Sequence, residues 1–417
     1  MPQSSTAEPQ PSPFLSASAG PCALVLMGGG ARTAYQAGAL RELAHRLHAA
    51  QPAGARAAFP FDILLGTSAG AINAAFLASR AHQGAQALLQ LARFWRRVRS
   101  SHVYDLRTPG WLRWSRIATA YLLVTQARRQ GSFLDNRPLA ALLQRLIDFE
   151  RIGTNVQQGH LQALGVTASN YNTGEHWTFF QTAQPAAVTS GTSWWRSGRR
   201  IVEQPISAHH LLASSALPFL MPAVTLKPPA EAGAEPAAEQ FFGDGSMRQV
   251  APLSAALYQG AARVLVIGVG QPHRTGLGRH AGRAGRPSLG AIAGHAMGSV
   301  FHDTLQADVE QAQRINRALQ QMPPEQAAQW PYRMVDIVAL HPSQSLDALA
   351  EQHARSLPVA TRQTLQGLGA FHGSGAALAS YMLFEPDFVR ALMALGAEDV
   401  RTQWPRLAQL LGAAAPP

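Results

Sequence analysis

The sequence predicts an α/β fold with a mostly parallel sheet covered by helices on both faces. Three observations carry this. Continuous apolar runs of strand length recur along the chain, helical stretches alternate with them, and glycine-rich turns join the two. Strands that alternate with helices build βαβ units. Cys22–Met27 (CALVLM) is the first run and ends in Gly28-Gly29-Gly30, the pattern of a buried parallel strand entering a tight turn. Thr33 to Ala49 continues as a helix. Phe61–Gly66 (FDILLG) is the second strand, followed by Thr67-Ser68-Ala69-Gly70 and the helical stretch Ala71–Arg80. Leu161–Ala168 and Trp177–Gln181 form a strand pair around the turn Asn170–Gly174. Arg263–Val269 (RVLVIGV) and Met334–Leu340 (MVDIVAL) are two more buried strands, and beyond about Ser345 only helices are expected.

Three regions break this rhythm. Residues 93–135 read as a basic helical cap rich in Trp and Tyr. Pro185–Arg200 reads as a Ser/Thr/Gly loop around Trp194-Trp195. Residues 271–290 are Gly- and Arg-rich and are expected to form a mobile surface loop. The first twenty residues carry neither a basic n-region nor an apolar h-region, so they read as a disordered tail and not as a secretory signal peptide. No apolar run reaches the roughly 18 residues of a membrane span. The expected organisation is therefore a tail over 1–20, an α/β domain over 21–345 and a C-terminal helical extension over 346–417, in a cytoplasmic or peripheral membrane setting.

Composition narrows the class. The chain has 417 residues, 47% of them apolar and 14% charged; soluble chains average roughly 25% charged. A charge-rich disordered protein is excluded. The single cysteine, Cys22, allows neither an intrachain disulfide nor a cysteine zinc cage. The net charge is +11, and Lys227 is the only lysine, so the positive charge is nearly all arginine. Such a balance suits anionic partners but says nothing of chemistry.

The sharpest element is Gly66-Thr67-Ser68-Ala69-Gly70. By itself G-x-S-x-G is a weak pattern in a chain with 36 glycines. Here it follows an apolar strand and opens a helix, the setting a nucleophile elbow requires. Flanking glycines permit a sharp turn that exposes the Ser68 hydroxyl, and a helix starting at Ala69 sets its positive end beneath a developing oxyanion. A plain βα turn with a capping serine has the same residues, so both readings stay open. Gly28-Gly29-Gly30-Ala31-Arg32 occupies a second strand–helix junction. Successive glycines let N–H groups converge on an anion, but the loop lacks the G-K-[ST] of a phosphate loop. Gly243-Asp244-Gly245 follows the strand-like Gln240–Phe242; its aspartate is either a turn residue or a catalytic carboxylate.

GGGARTAYQAG, FDILLGTSAGAINAAF, a helix SSALPFLMPAV and FFGDGSM, in this order, resemble the patatin-like phospholipase family. The resemblance runs from about residue 22 to residue 345 and implies a three-layer α/β/α patatin-like fold. It implies a Ser-Asp dyad without histidine, with Ser68 as nucleophile and Asp244 as general base. Gly28, Gly29, Gly30, Ala31 and Arg32 would form the oxyanion hole, and Gly66, Thr67, Ala69 and Gly70 the elbow. Two positions depart from the family pattern: Thr33 stands where it has glycine, and Ser246 where it has glycine or alanine.

The expected activity is hydrolysis of carboxylic esters of (phospho)lipids, with no metal or organic cofactor. The substrate would sit at a membrane or micelle surface, anionic lipid included, and no nucleic-acid partner is expected. Alternatives are a His-dependent esterase or acyltransferase, or an idle membrane-binding protein. His273, His295, His302, His341 and His372 follow Asp244 but belong to no motif, and His209-His210 stay unassigned. Between Trp95 and Arg129, Trp95, Tyr104, Trp111, Trp114 and Tyr121 interleave with eight arginines. This mixture suits a membrane interface, and equally a cap with its aromatics packed inward.

Overall fold

A computed structural model of the chain describes residues 20–413 except 53, 105–131, 133, 184–197, 219, 230–237, 250, 271–288, 354–355 and 357–375. Strand β1 (Cys22–Leu26) leads through a 3-10 turn (Gly30–Thr33) into α1 (Ala34–Ala49), and β2 (Ile63–Thr67) leads directly into α2 (Ala69–Ala78). Helices α3 (Gln86–Trp95), α4 (Ser100–Val103), α5 (Arg137–Leu146) and α6 (Phe149–Gln157) precede the hairpin of β3 (Ala163–Asn170) and β4 (His176–Thr182). Next come β5 (Arg199–Glu203), α7 (Ala208–Ser214), β6 (Val224–Leu226), β7 (Gln240–Asp244), α8 (Ser254–Tyr258) and β8 (Arg263–Ile267). Helices α9 (Leu289–Gln320) and α10 (Pro324–Gln329) lead to β9 (Asp336–Leu340). The chain closes with α11 (Leu346–His353), α12 (Ala376–Met382), α13 (Pro386–Thr402) and α14 (Trp404–Leu411).

The strands form one sheet in the order β5-β4-β3-β2-β1-β8-β9, with β7 and β6 added beside the end of β3. Pairing is parallel from β3 through β9 and antiparallel between β3 and β4, β3 and β7, and β6 and β7. The alternation of β1 shows why its whole run is apolar. Cys22, Leu24 and Leu26 face one core with α1, α2, α3 and α13, while Ala23, Val25 and Met27 face a second with α8 and α9. Burying each large aliphatic side chain of this kind contributes about 1.5–3 kcal/mol. The sheet is thus the middle of three layers. The C-terminal helices join the first core: Phe388, Val389, Leu392 and Trp404 are buried in it, and Asp399 of α13 accepts a hydrogen bond from Tyr35 of α1 at 2.8 Å.

The parallel sheet, its alternation with helices and the C-terminal helices agree with the sequence expectation. Local differences have physical causes. SSALPFLMPAV is not a helix: α7 ends at Ser214, and Pro218 and Pro222 bias the residues before them away from helical geometry. Arg199 and Arg200 belong to edge strand β5, paired with β4, and not to a loop. Gly290 lies in α9. Trp95 and Tyr104 are buried, at 3% and 5% exposure, so these two aromatics of the cap pack inward while Arg93, Arg96 and Arg97 face solvent. Outside the described residues lie the tail over 1–19, the cap over 105–131 with Trp111, Trp114 and Tyr121, the loop around Trp194-Trp195, and most of 271–290. Among the described residues, no helix is long and apolar enough to cross a membrane.

Candidate active site

Ser68 sits between β2 and α2. Its φ of 56° makes it the one described non-glycine residue in the left-handed region, a conformation worth about 1–3 kcal/mol of strain. The backbone N–H of Ser68 donates to Ser214 Oγ at 2.8 Å, and that hydroxyl donates to the Thr167 carbonyl at 2.6 Å. Ser214 therefore ties the strained turn to β3. Gly66 and Thr67 are the last two residues of β2, and Ala69 and Gly70 begin α2.

The sheet register explains how Asp244 reaches Ser68 from far along the chain. Thr67, the end of β2, pairs with Thr167 of β3. The next residue of β3, Ala168, pairs with Asp244, the end of β7. Strands β2 and β7 run toward each other along β3 and stop at adjacent positions. Successive strand positions are about 3.3 Å apart, so their last residues must meet. Asp244 is fully buried. Its Oδ1 accepts from the Ser246 N–H at 2.9 Å, while Oδ2 has no well-formed partner. Burial pushes the carboxyl up from 3.8 to about 6; the neighbouring hydroxyl of Ser68, and then the Ser246 N–H, pull it partly back. A carboxylate so poised is ionised at neutral pH and a far better base than an exposed one.

Facing this pair is the glycine loop. A Cβ placed on Gly28 would lie 2.5 Å from Ser246 Oγ and 2.9 Å from Ser68 Cβ, so only a glycine lets the loop approach. The N–H groups of Gly28, Gly29, Gly30 and Ala69 are buried and make no hydrogen bond among the described residues. Buried backbone donors left unpaired are rare, because each forfeits its hydration. Ala31 lies inside the 3-10 turn, and Arg32 is buried beneath the C-terminal segment. Thr33 takes φ −69°, which any residue adopts, and its hydroxyl donates to the Gly30 carbonyl at 2.7 Å. The threonine therefore fits the loop without strain. Ser246 fits too, with its hydroxyl inside the site.

Several supports were not drawn from the sequence. A buried polar chain runs from Trp95 Nε1 to Asn73 Oδ1 (2.7 Å) and from Asn73 Nδ2 to Gln36 Oε1 (2.9 Å). It continues from Gln36 Nε2 to the carbonyls of Met27 (2.7 Å) and Ile267 (3.1 Å), clamping the end of β1 just before the glycine loop. An apolar cavity of about 690 Å³, counting its mouth, is bordered by Ser68 and Gly30 and lined by Ile72, Trp95, Val98, Leu139, Leu217 and Phe384. Periodicity marks these residues as core and does not distinguish a core from a cavity wall. Among the described residues, no histidine lines the cavity beside Ser68 or perturbs Asp244. His210 bonds Ser207 and Gln204 in the cap of α7, and His176 contacts the Arg248 carbonyl at 3.2 Å; burial pushes both down to about 4. His341 stands beside Gly268, after β8. His209 is exposed on α7. The side chains of His273, His295, His302 and His372 lie outside the described residues.

Fold and site define a class first: an α/β/α protein built around a strand–helix serine elbow faced by a glycine loop. The family follows from the sequence itself, since the family model for patatin-like phospholipase matches residues 24–257, and the chain belongs to that family. Among solved structures, it is similar to human GIVD cytosolic phospholipase A2 at 14% identity and a TM-score of 0.43, covering 94% of this chain and 60% of that one. It is also similar to VipD from Legionella pneumophila, at 13% identity and a TM-score of 0.30, covering 84% and 67%. A third is the ExoU–SpcU complex of the Pseudomonas aeruginosa type III secretion system, at 16% and 0.22, covering 94% and 74%. This chain thus spans 60% of the human phospholipase chain. No curated protein matches it.

Proposed function

We propose that the protein hydrolyses carboxylic ester bonds of (phospho)lipids through a Ser68–Asp244 dyad. The observation that carries this reading is the end-to-end meeting of β2 and β7 on β3, which sets a strained serine against a buried carboxylate. Ser68 Oγ attacks the ester carbonyl while its proton passes to Asp244. The tetrahedral oxyanion accepts hydrogen bonds from the Gly28–Arg32 loop, in which the N–H groups of Gly28, Gly29 and Gly30 make no hydrogen bond among the described residues. The carbon–oxygen bond to the alcohol then breaks, and the alcohol leaves with the proton from Asp244. Water gives a proton to Asp244 and attacks the acyl-enzyme. Ser68 departs reprotonated and the fatty acid is released.

The apolar cavity beside Ser68 is suited to the acyl chain, since it offers hydrocarbon contact and excludes water from the carbonyl. Residues 21–345 supply the chemistry in this reading, and 346–417 brace it. The substrate is met at a lipid surface, where the positive net charge favours anionic headgroups. The test is labelling with a fluorophosphonate, mapped by mass spectrometry, beside lipid profiling of wild type and Ser68→Ala. Modification of Ser68 and loss of fatty-acid release in the variant are expected. A protein that neither labels at Ser68 nor releases fatty acid would refute the proposal.

A further inference from the structure

The end of α12 and the residues after it lie outside the stretch that matches the family, yet they build part of the site. Gly30 takes φ 54°, and a Cβ there would lie 2.3 Å from the Tyr381 carbonyl oxygen, so the glycine loop rests directly on this segment. Arg32 Nε donates to Ser380 Oγ at 2.6 Å, and its guanidinium lies 4.1 Å over the Tyr381 ring. Asp347 of α11 completes the enclosure of that guanidinium with an ion pair. From the other side, Tyr104 donates its hydroxyl hydrogen to the Met382 carbonyl at 2.9 Å. Residues 380–384 thus form a strap pinned between the glycine loop and the chain after α4.

The strap's side chains enter the cavity. Tyr381, Met382 and Phe384 all line it. Phe384 stacks on Trp95, with centroids 6.1 Å apart and planes 12° from parallel, and meets Tyr104 edge-on at 6.5 Å. Trp95 and Tyr104 border the same cavity, so Phe384 is the middle ring of a three-ring wall. Ring contact on both sides, stacked against Trp95 and edge-on to Tyr104, leaves that ring little freedom to turn away. A wall of locked rings imposes a sharper limit on a hydrocarbon guest than a wall of adaptable side chains such as methionine.

We propose that the strap Ser380–Phe384 is the acyl-chain selector of this site, with Phe384 setting the length of fatty acyl chain that the cavity accepts. The inference rests on the hydrolase reading of Ser68 for its catalytic consequence. It does not need that reading for the binding of an acyl chain. A hydrophobic pocket discriminates by about 10- to 200-fold per methylene that it must exclude, so opening the wall should be plain in a chain-length series.

The test uses the full chain as wild type, Phe384→Ala and Phe384→Trp, with p-nitrophenyl esters of four to about sixteen carbons. The ratio of kcat/KM for the longest ester to that for a medium one is expected to rise tenfold or more in the alanine variant and to fall in the tryptophan variant. Phe384→Leu serves if the alanine variant does not fold, and is expected to shift the ratio upward. In parallel, a palmitate analogue with a diazirine at its terminal carbon is photolysed with the Ser68→Ala protein, and its crosslinks are mapped by mass spectrometry. Crosslinks on the Tyr381–Phe384 peptide support the selector even if no ester is hydrolysed, in which case the hydrolase reading alone fails. Unchanged chain-length ratios in folded variants, or crosslinks confined to other segments, overturn it.

Discussion

Replacing Asp244 by asparagine is expected to abolish activity and, at the same time, to stabilise the fold in a pH-dependent way. Burial raises the carboxyl from 3.8 to about 6. The folded protein therefore holds the proton more tightly than the unfolded chain does. Stability from this group is greatest below pH 3.8, falls as pH rises toward about 6, and stays at its lower level above that. One pH unit corresponds to about 1.4 kcal/mol, so the charged carboxylate costs the native state about 3 kcal/mol at pH 8. Asparagine preserves the shape, still accepts from the Ser246 N–H and carries no charge to desolvate. Tyr171, the titratable group that faces Asp244 and is itself pushed up mainly by burial, stays neutral throughout this range. Thermal unfolding of wild type and Asp244→Asn from pH 4 to 8 is the assay, alongside the pH dependence of wild-type kcat/KM. The variant's advantage should be largest at pH 8 and shrink as pH falls through 6, and wild-type kcat/KM should lose its basic form around the same pH. A melting difference that is unchanged across this range, or a less stable variant at pH 8, would refute the burial argument.

Ser68→Ala should remove nearly all ester hydrolysis, and the Ser68→Ala, Asp244→Asn double variant should be little worse than either single change, because a nucleophile and its base act as one unit. Multiplicative losses in steady-state kinetics would count against a dyad. Ser214→Ala removes the acceptor for the Ser68 N–H and should lower stability by about 1–3 kcal/mol in denaturant titration; a neutral change would mean that the elbow does not depend on that tie. Co-sedimentation should show stronger binding to anionic than to neutral vesicles, weakening with salt because attraction decays over a Debye length of about 8 Å. Arg96→Glu with Arg97→Glu, both on the exposed side of the cap, should reduce it; equal sedimentation would remove these arginines from the membrane contact.

What the sequence made legible was whatever depends on neighbours along the chain. The buried strands, the glycine turns that end them and the strand–helix turn at Ser68 each carry a local pattern, and all three appear near their expected positions. Edge strand β5 carries little strand signal because RRIVE is half-buried and holds two arginines, and β6 carries little because three residues hold too little pattern. Pro218 opposes helical geometry after α7, within an apolar run that otherwise suits a helix. The supports of the site were not legible. Ser214 serves Ser68 only because α7 crosses β3, and Gln36, Asn73 and Trp95 join only because three helices converge on one strand end. Tyr381 and Phe384 read as ordinary helix and turn residues until the fold sets them against Gly30 and Trp95.

The way β2 and β7 meet has a consequence in time as well as in space. Synthesis proceeds from the N-terminus, so the serine and its glycine loop emerge long before the strand that brings the carboxylate, and longer still before Tyr381 closes over Arg32. On the proposed dyad, a nascent chain therefore carries a nucleophile with no base and an anion cradle with no floor. Pairings between distant segments form late, because loop closure must precede the contacts that reward it. Under that proposal catalytic competence arrives as a last event, and the growing polypeptide is expected to be chemically silent toward any lipid surface it touches on the way. Ribosome-stalled chains that end before Ala376 should accordingly take up no fluorophosphonate, while released full-length chains should.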